Sequence, residues 1–335
     1  MNKILIITTG GTITSIKSDN GLVPTNTSDL LKKAIKDPEL DIKVKNIMVL
    51  DSSNIQPEEW KIIATNIYDE MNNYDGIIVT HGTDTMAYTA TMMCFMVQNP
   101  TIPIVFTGSQ LPIFHPLTDA YNNLRAAAEM TKTKIKGIFV AFDRKIIIGC
   151  RAVKVRTSGF EAFESINLKS IGKISANGLS IRKELIKKYT DKPILNTNIE
   201  TNVMLLKLTP TTNPNIIDLL INSGIKGIVI EAYGAGGISF VRRDFVTKIK
   251  EAINKNIPVV VSSQCLFEPS NFNIYEVGQK VIETGAIEAL DMTTESAVCK
   301  LMYALGQTND LKEVTKIFKT EISSEITNPH TNEEF

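Results

Sequence analysis

The sequence predicts an α/β protein with two α/β domains: a larger N-terminal one with a doubly wound, mostly parallel sheet, and a smaller C-terminal one with its own parallel sheet. Short runs such as "KILIITT" and "IPVVVSS" are rich in β-branched residues and almost continuously apolar, which is typical of strands covered on both faces. Helical patterns separate many of these runs, and this alternation favours a doubly wound fold. A chain of 335 residues is long enough for two domains.

The strand pattern recurs along the chain, in the order "KILIITT", "VKNIMVL", "DGIIVTHG", "TIPIVFTGS", "KGIFVAF", "NVMLLKL", "GIVIEAYG" and "IPVVVSS". Between the second and third runs, "QPEEWKIIATNIYDEMNN" predicts a helix. Pro57 suits the first helical turn, and Glu58 and Glu59 favour a helix N-terminus. The segments "DAYNNLRAAAEM" and "DFVTKIKEAINKN" predict further helices by the same pattern.

The periodic pattern breaks down between about Ser175 and Asn202, where the chain is polar, charged and weakly periodic. A second series of strands and helices begins after this stretch. We therefore predict an N-terminal domain over 1–185, a linker over 186–202 and a C-terminal domain over 203–335.

Composition narrows the class of protein. Hydrophobic residues make up 43% and charged residues 21%, and 36 basic residues balance 36 acidic ones. Because nucleic acids and anionic membranes require a basic excess, neither is expected as a partner. No run is long enough to span a membrane, and the first residues lack the features of a signal peptide. We expect a cytoplasmic protein.

The cysteines and histidines do not predict a metal site. The four cysteines match no zinc-binding spacing and are interpreted as reduced thiols, and the three histidines form no cluster with them. The cysteines are Cys94, Cys150, Cys265 and Cys299, and the histidines are His81, His115 and His330.

Four consecutive predicted strands end in small polar residues. Ligands of open α/β sheets bind at the carboxyl ends of the strands. The segments are "TGGT" (9–12), "LDSSN" (50–54), "HGTDT" (81–85) and "TGSQ" (107–110). Together they predict a pocket rich in hydroxyl groups, carboxylates and backbone N–H groups.

The segment "TGGT" has three interpretations: a glycine turn, a phosphate-binding loop, or a turn that presents a catalytic Thr12. The phosphate loop is the weakest, because Gly10 and Gly11 are adjacent rather than spaced as in G-x-G-x-x-G and no P-loop lysine follows. Thr12 cannot be a nucleophile that uses its own α-amine, since it lies inside the chain.

The segment "HGTDT" has two interpretations. Thr83 and Asp84 precede a helical pattern, and both are common N-cap residues. Alternatively, the Thr83 hydroxyl takes part in catalysis, which requires a base or a cation beside it. Lys154 in "RAVKVRTSG" is a candidate cation, although such a lysine is more often solvated. A Ser–His–Asp triad has little support, since no G-x-S-x-G segment is present and His81 fits better as a packed residue.

The segments "TTGGTI", "DSSN", "HGTDTMAYT", "TGSQLP", "RAVKVRTSGFEAFESIN", "EAYGAGG" and "TTESAVCKLMYALGQ" occur in this order. With them the chain closely resembles the bacterial-type L-asparaginases, and within these the cytoplasmic type I branch. The resemblance runs from Lys3 to about Ile317. It implies an amidohydrolase that converts L-asparagine to L-aspartate and ammonia through an acyl-enzyme, without a metal or organic cofactor. It also implies a homodimer or homotetramer with active sites at subunit contacts.

The resemblance assigns the catalytic residues as Thr12, Thr83, Asp84 and Lys154. Thr12 would be the nucleophile, and the other three would form a second triad. The implied substrate-binding residues are Asp51, Ser52, Ser53, Thr83, Asp84 and Glu295. The "DSSN" segment would hold the α-carboxylate, Asp84 would face the α-ammonium, and Glu295 would reach the ligand of the neighbouring subunit.

Two positions depart from the family pattern. Leu22 stands where many relatives carry a loop tyrosine that orients the nucleophile, and Gly237 stands where relatives often carry asparagine.

We expect the loop from Thr14 to Thr25, with Gly21 as a hinge, to close over the site and exclude water.

Two alternative functions remain open on the sequence. One is the related subunit of an archaeal-type tRNA-dependent amidotransferase, which releases ammonia from glutamine for a partner. The other is a non-catalytic protein that binds an amino acid. A pair of threonines with Lys154 argues against the second, because binding alone does not need all three.

Overall fold

A computed structural model describes residues 1–18, 21–24, 28–273 and 276–327, with only the backbone described for 16–18, 21–24 and 28. The chain divides into two compact units, Met1–Thr197 and Asn198–Phe335. None of the helices in the described ranges has the length and apolar character required to cross a membrane.

The first unit contains fourteen described strands and four described helices. In chain order they are β1 Asn2–Gly10, β2 Ser15–Ser18, β3 Gly21–Pro24, α1 Ser28–Ile35, β4 Leu40–Leu50, α2 Pro57–Glu70, β5 Gly76–Thr80, α3 Met86–Met96, β6 Val97–Gln98, β7 Pro103–Thr107, α4 Ala120–Lys132, β8 Gly137–Phe142, β9 Lys145–Ile148, β10 Ala152–Lys154, β11 Phe163–Ser165, β12 Gly172–Ser175, β13 Gly178–Ile181 and β14 Ile194–Leu195.

The first unit is built on an eight-stranded sheet in the order β13-β12-β9-β8-β7-β5-β1-β4. The strands from β8 to β4 pair in parallel, and β9, β12 and β13 extend the sheet with antiparallel pairs. The predicted doubly wound, mostly parallel sheet is confirmed. β5, β7 and β8 are buried along their whole length, as their continuous apolar sequences predict.

One predicted strand is not covered on both faces. Most residues of β4 are partly or fully exposed, because β4 is the edge strand of the sheet. The apolar run "VKNIMVL" therefore gave the correct element but the wrong burial.

The strand order predicts a ligand-binding region at the end of β1. The chain passes from β1 to β4 on one side and then to β5 on the other, so the direction of winding reverses at β1. In doubly wound sheets the crevice at such a reversal, at the carboxyl ends of the strands, is the usual ligand site. Here it lies next to the loops that follow β1 and β5.

The second unit is a smaller parallel-sheet domain, as predicted. Its elements are β15 Val203–Lys207, α5 Asn215–Asn222, β16 Gly227–Ala232, α6 Phe245–Asn254, β17 Val259–Ser263, α7 Glu276–Glu283, β18 Ile287–Glu288, α8 Thr294–Gln307 and α9 Leu311–Lys319. The four strands pair in parallel in sequence order.

Both faces of this second sheet are covered. Ile228 and Ile230 of β16 pack into a cluster with Phe245 and Ile249 of α6, whereas Val229 between them packs into the opposite cluster with Leu301 of α8. The period of two along a strand sends alternate side chains to opposite faces, so both sets are apolar.

The segment predicted as a linker, 186–202, contains a short strand. β14 pairs antiparallel with β6, with Ile194 opposite Gln98. This pairing ties residues 194–195 to the first unit.

Candidate active site

The loops after β1 and β5 are in backbone contact. Gly11 has φ +79°, and a Cβ placed on it would lie 2.4 Å from the backbone nitrogen of Gly82. No other residue fits there, because its side chain would overlap the neighbouring backbone. Thr12 and Thr83 each follow one of these two touching glycines.

The other two loops join the same contact. A Cβ on Gly82 would lie 2.5 Å from Ser52 Oγ, and one on Gly108 would lie 2.3 Å from the carbonyl oxygen of His81. The four polar strand ends recognised in the sequence therefore meet at one edge of the sheet.

Thr12 begins a 3-10 turn, Thr12–Thr14, directly after β1. The hydroxyls of Thr14 and Ser15 donate to the Gly11 carbonyl at 3.3 and 2.9 Å and shape this turn. Within the described ranges, neither the Thr12 hydroxyl nor its backbone N–H has a hydrogen-bond partner. Among the described residues, Thr12 thus presents a hydroxyl and a backbone N–H that are both available to a ligand.

Lys154 joins Thr83 to Asp84. Its Nζ donates to Thr83 Oγ1 at 2.9 Å and to Asp84 Oδ1 at 2.6 Å. Thr83 is 6% exposed, and the side chains of Lys154 and Asp84 are 18% and 63% exposed. An ammonium that donates to a hydroxyl stabilises negative charge on that oxygen.

The capping interpretation of Thr83 and Asp84 is wrong. Helix α3 begins at Met86, its N-cap residue is Thr85, and no side chain caps it. Thr85 Oγ1 instead donates to the Ser52 carbonyl at 2.7 Å. Thr83 and Asp84 lie in the turn before the helix, where both face Lys154.

Gln110 also contacts Thr83, and the sequence alone did not reveal this. Thr83 Oγ1 donates to Gln110 Oε1 at 3.2 Å, and Gln110 Nε2 donates to the carbonyls of Thr157 and Gly159 at 3.1 and 3.0 Å. The available signal was the polar end "TGSQ" of a buried strand, which marks the loop but not the contact.

In the "DSSN" segment, Asp51 shapes a 3-10 turn. Ser53 donates to Asp51 Oδ1 through its backbone N–H at 2.9 Å and its hydroxyl at 2.6 Å. The Ser53 hydroxyl, followed by its N–H, lowers the pKa of Asp51. Ser52 is 2% exposed, and its hydroxyl has no partner in the described part of the chain.

His81 is a packed residue rather than a base. Burial lowers the pKa of His81 to about 4. Its ring lies near that of Phe106, and its Nδ1 is 2.8 Å from the Gly82 carbonyl, to which it donates as a neutral imidazole. The ring is therefore uncharged at neutral pH.

Glu295 belongs to the second unit, in the first turn of α8 after the N-cap residue Thr293. Burial raises the pKa of Glu295, and the carboxylate of Glu231 adds to this effect. Glu231 accepts from Thr294 Oγ1 at 2.7 Å and from Lys207 Nζ at 3.1 Å. The first-turn position that the sequence indicated is observed; the proposed contact with a neighbouring subunit stays a prediction.

The proposed lid falls partly outside the described residues. β2 and β3 pair as an antiparallel hairpin within it, with Lys17 opposite Leu22. Residues 19–20 and 25 and the side chain of Leu22 lie outside the described part, so lid closure and the replacement of the loop tyrosine stay predictions.

Comparison with known protein families matches nearly the whole chain. Residues 3–187 match the family "Asparaginase, N-terminal", and residues 202–318 match the "Glutaminase/Asparaginase C-terminal domain". These two ranges include every candidate site residue.

The chain is similar to an L-asparaginase of Thermococcus kodakarensis, with 39% identity over 97% of this chain and 99% of that protein. The solved structure of the Thermococcus kodakarensis L-asparaginase superimposes with a TM-score of 0.92 over 97% of this chain and 99% of that chain. L-asparaginase I from Vibrio cholerae superimposes with a TM-score of 0.87 at 26% identity, over 98% of this chain and 99% of its own.

A further relative is one component of the glutamyl-tRNA(Gln) amidotransferase of Methanosphaera stadtmanae, with 39% identity over 96% of this chain and 76% of that component. Family domains, sequence identity and fold agree along the chain. The protein belongs to the asparaginase family.

Proposed function

We propose that this protein is an L-asparaginase that hydrolyses L-asparagine to L-aspartate and ammonia through an ester on Thr12. The observation that carries the proposal is the contact of Lys154 with both Thr83 and Asp84. This cluster lies close to Thr12, because Gly11 and Gly82, which precede Thr12 and Thr83, are in backbone contact. The L-asparaginase of Thermococcus kodakarensis supports the choice of substrate, because it is similar over its full length.

The proposed reaction is a two-step acyl transfer. Thr12 Oγ attacks the side-chain amide carbon, and the leaving nitrogen takes up the proton that Thr12 releases, so ammonia departs. Water then attacks the ester and restores the hydroxyl. The backbone N–H groups of Thr12 and Thr83 have no acceptor among the described residues, and each fits as an oxyanion donor. One such donor contributes about 3–4 kcal/mol to transition-state stabilisation.

The substrate would bind through its charged ends. The Ser52 hydroxyl, which has no partner among the described residues, fits the α-carboxylate, with Asp51 and Ser53 shaping the turn. Asp84 fits the α-ammonium. Glu295 of a neighbouring subunit would complete the ammonium site, which requires a homodimer or homotetramer. The steps use only hydroxyl, ammonium, carboxylate and backbone N–H groups and water, so we propose no metal or organic cofactor.

One assay separates this function from its rivals: ammonia release from L-asparagine and from L-glutamine by the purified chain alone. The proposal predicts release from asparagine without any added protein. Release from glutamine only, and only with an amidotransferase partner, would favour the activity suggested by the amidotransferase relative. Tight binding of an amino acid without ammonia release would favour a binding protein.

We also propose that the protein acts in the cytoplasm, since none of its four cysteines forms a disulfide. Cell fractionation followed by immunoblotting tests the location, and recovery in a membrane or secreted fraction would contradict it.

We propose domain bounds of 1–185 for the part with the catalytic threonines, 186–202 for the linker and 203–335 for the part with Glu295.

A further inference from the structure

We propose that Gln110 is the residue that positions Thr83: it holds the Thr83 turn in register with the hairpin that carries Lys154 and directs the Thr83 proton onto its own amide oxygen. This inference rests on the proposed function, because it assigns Thr83 an orientation for that reaction.

The orientation of the Gln110 amide is fixed by its neighbours. Nε2 has two protons, and the carbonyls of Thr157 and Gly159 accept them at 3.1 and 3.0 Å. A flipped amide would set its oxygen against two carbonyl oxygens, with no proton between them. Oε1 must therefore face Thr83, where it can only accept.

The Thr83 hydroxyl has one proton, and Gln110 Oε1 is its acceptor at 3.2 Å. Lys154 Nζ donates to the same oxygen at 2.9 Å and occupies one lone pair. The remaining lone pair can only accept. Thr83 is thus arranged to accept a hydrogen bond from an attacking hydroxyl or water rather than to attack, which leaves the nucleophilic role to Thr12.

Gln110 is itself held rigidly. The carboxylate of Asp119 accepts from the backbone N–H of Gln110 at 3.0 and 3.1 Å, from that of Leu111 at 3.1 Å and from Asn123 Nδ2 at 2.9 Å. Asp119 is 8% exposed, so these bonds are shielded from water.

The carbonyls that Gln110 binds belong to the turn after Lys154, between β10 and β11. One side chain therefore joins the loop after β7, the Thr83 turn and the Lys154 hairpin. Thr83 and Lys154 are 71 residues apart in the sequence. Their 2.9 Å contact therefore depends on how the Thr83 turn is positioned against the Lys154 hairpin.

Two substitutions test the role. Gln110→Met keeps the length of the side chain but removes the acceptor and both donors. Gln110→Glu keeps the shape and becomes titratable: a neutral carboxyl can accept from Thr83 and donate to one carbonyl, whereas a carboxylate would repel both carbonyls. Gln307 offers a matched control, since its Nε2 also donates to two carbonyls, those of Asn198 and Tyr303, at the far end of α8.

We would measure kcat and KM on asparagine between acid and neutral pH for each variant, together with its melting curve. We expect Gln110→Met to lower kcat by about tenfold to a hundredfold with little change in KM, since misplaced catalytic groups cost rates of this order. The kcat of Gln110→Glu relative to wild type should fall as pH rises, whereas Gln307→Met and Gln307→Glu should follow the wild-type profile. The proposal would be overturned if the ratio of the Gln110→Glu kcat to the wild-type kcat did not change with pH. It would also be overturned if Gln110→Met folded and had the wild-type kcat.

If the wild-type protein does not hydrolyse asparagine, the proposed function fails, and crystal structures then decide the role of Gln110. A Gln110→Met structure in which Lys154 Nζ has left Thr83 Oγ1 would support it. An unchanged contact in that structure would contradict it.

Discussion

A lysine in a short hairpin is ordinarily a solvated side chain, but Lys154 is mostly buried and donates to two neighbours. Its Nζ lies 2.9 Å from the Thr83 hydroxyl and 2.6 Å from Asp84. Because the Asp84 side chain is 63% exposed, this ion pair contributes little to stability, and we attribute the arrangement to the effect of Lys154 on the Thr83 oxygen. Among single residues, this is the interaction that we propose to be most directly linked to catalysis.

We expect Lys154→Met to lower kcat by roughly 10²–10⁴-fold and to change KM much less, because the lysine acts on charge that develops in the transition state. Thr83→Val should behave in the same way. The measurement is steady-state ammonia release over a range of asparagine concentrations.

The matched control is Lys145→Met. Lys145 also contacts a carboxylate, Glu164 at 3.0 Å, but it lies on β9 and touches neither threonine. The Lys145→Met variant should keep the wild-type kcat. If Lys154→Met raises only KM, Lys154 is a binding residue and the second triad is wrong.

The sequence named the candidate site residues and suggested that Lys154 contacts Thr83 and Asp84, as the structure shows. It did not indicate the contact of Thr83 with Gln110. Thr12, Thr83, Asp84 and Lys154 could be named because they follow predicted strands or match family motifs. The hydrogen bond from Thr83 to Gln110 spans 27 residues, and no spacing rule links these two positions. Such contacts depend on how loops pack at the sheet edge.

At the scale of elements, the glycine turns determine how closely the loops approach. Gly11 contacts Gly82, and Gly82 contacts Ser52, so three loops meet with only backbone or small side chains between them. A single added methyl group would separate Thr12 from Thr83.

We expect Gly11→Ala to lower kcat on asparagine by about a hundredfold or more, because a displacement of about 1 Å in a catalytic group costs this much. Gly178→Ala is the matched control: its φ of +86° imposes similar backbone strain, but no atom lies within 4 Å of the added Cβ. Gly178→Ala should lose about 1–2 kcal/mol in the free energy of unfolding from backbone strain alone. Gly11→Ala should lose more, because its Cβ also overlaps the backbone of Gly82. Equal activities of the two variants would show that crowding at Gly11 does not matter.

Elements were predictable where they were long. The parallel strands of five residues or more form visible apolar runs, and the helices α2, α4 and α6 are long enough for a helical period to be visible. Glu59 also accepts from the Gln56 N–H at the start of α2. The pairing of β14 with β6 joins strands of two residues each, and β18 has two as well, so none of them carries a period.

A buried ion pair secures the segment after α9 to α8. Lys300 Nζ lies 2.5 Å from Glu325 Oε1, and both side chains are fully buried. Glu325 also accepts from the backbone N–H groups of Ile322 and Ser323. Although burial alone would raise the pKa of Glu325, the charge of Lys300 and these hydrogen bonds hold it below its ordinary value of 4.5.

We expect Glu325→Gln to lower the free energy of unfolding by about 3–5 kcal/mol at neutral pH, because it removes the buried carboxylate that pairs with the Lys300 ammonium. A carboxyl group with a lowered pKa stabilises the fold above its unfolded pKa, and this stability is lost as pH falls through the folded value. The difference between wild type and variant in urea denaturation should therefore shrink in acid.

Glu313→Gln is the control for the ion pair, since Glu313 pairs with Lys316 at 3.4 Å on an exposed helix face. Its effect should stay within about 1 kcal/mol. A loss of stability in Glu325→Gln that is equally small, or independent of pH, would contradict this account.

At the scale of the whole molecule, the candidate residues are divided between the two units. Seven of the eight, from Thr12 to Lys154, belong to Met1–Thr197, and Glu295 belongs to Asn198–Phe335. The proposed function assigns Glu295 to the site of a neighbouring subunit, so activity should depend on assembly.

We expect Thr12→Ala and Glu295→Ala, each impaired alone, to restore part of the activity when they are refolded together. Mixed oligomers would contain some sites with a wild-type Thr12 from one chain and a wild-type Glu295 from the other. Refolding each variant by itself is the control. An impaired Glu295→Ala that mixing does not rescue would place Glu295 in the site of its own chain.

The proposed reaction depends on attack of the Thr12 hydroxyl on the asparagine side chain. Its most direct test is ammonia release from L-asparagine by Thr12→Ala beside the wild-type protein, with melting curves of both. We expect steady ammonia release by the wild type and no release above background by a Thr12→Ala variant with the same melting temperature. Near-normal turnover by a folded Thr12→Ala protein would remove Thr12 from the mechanism.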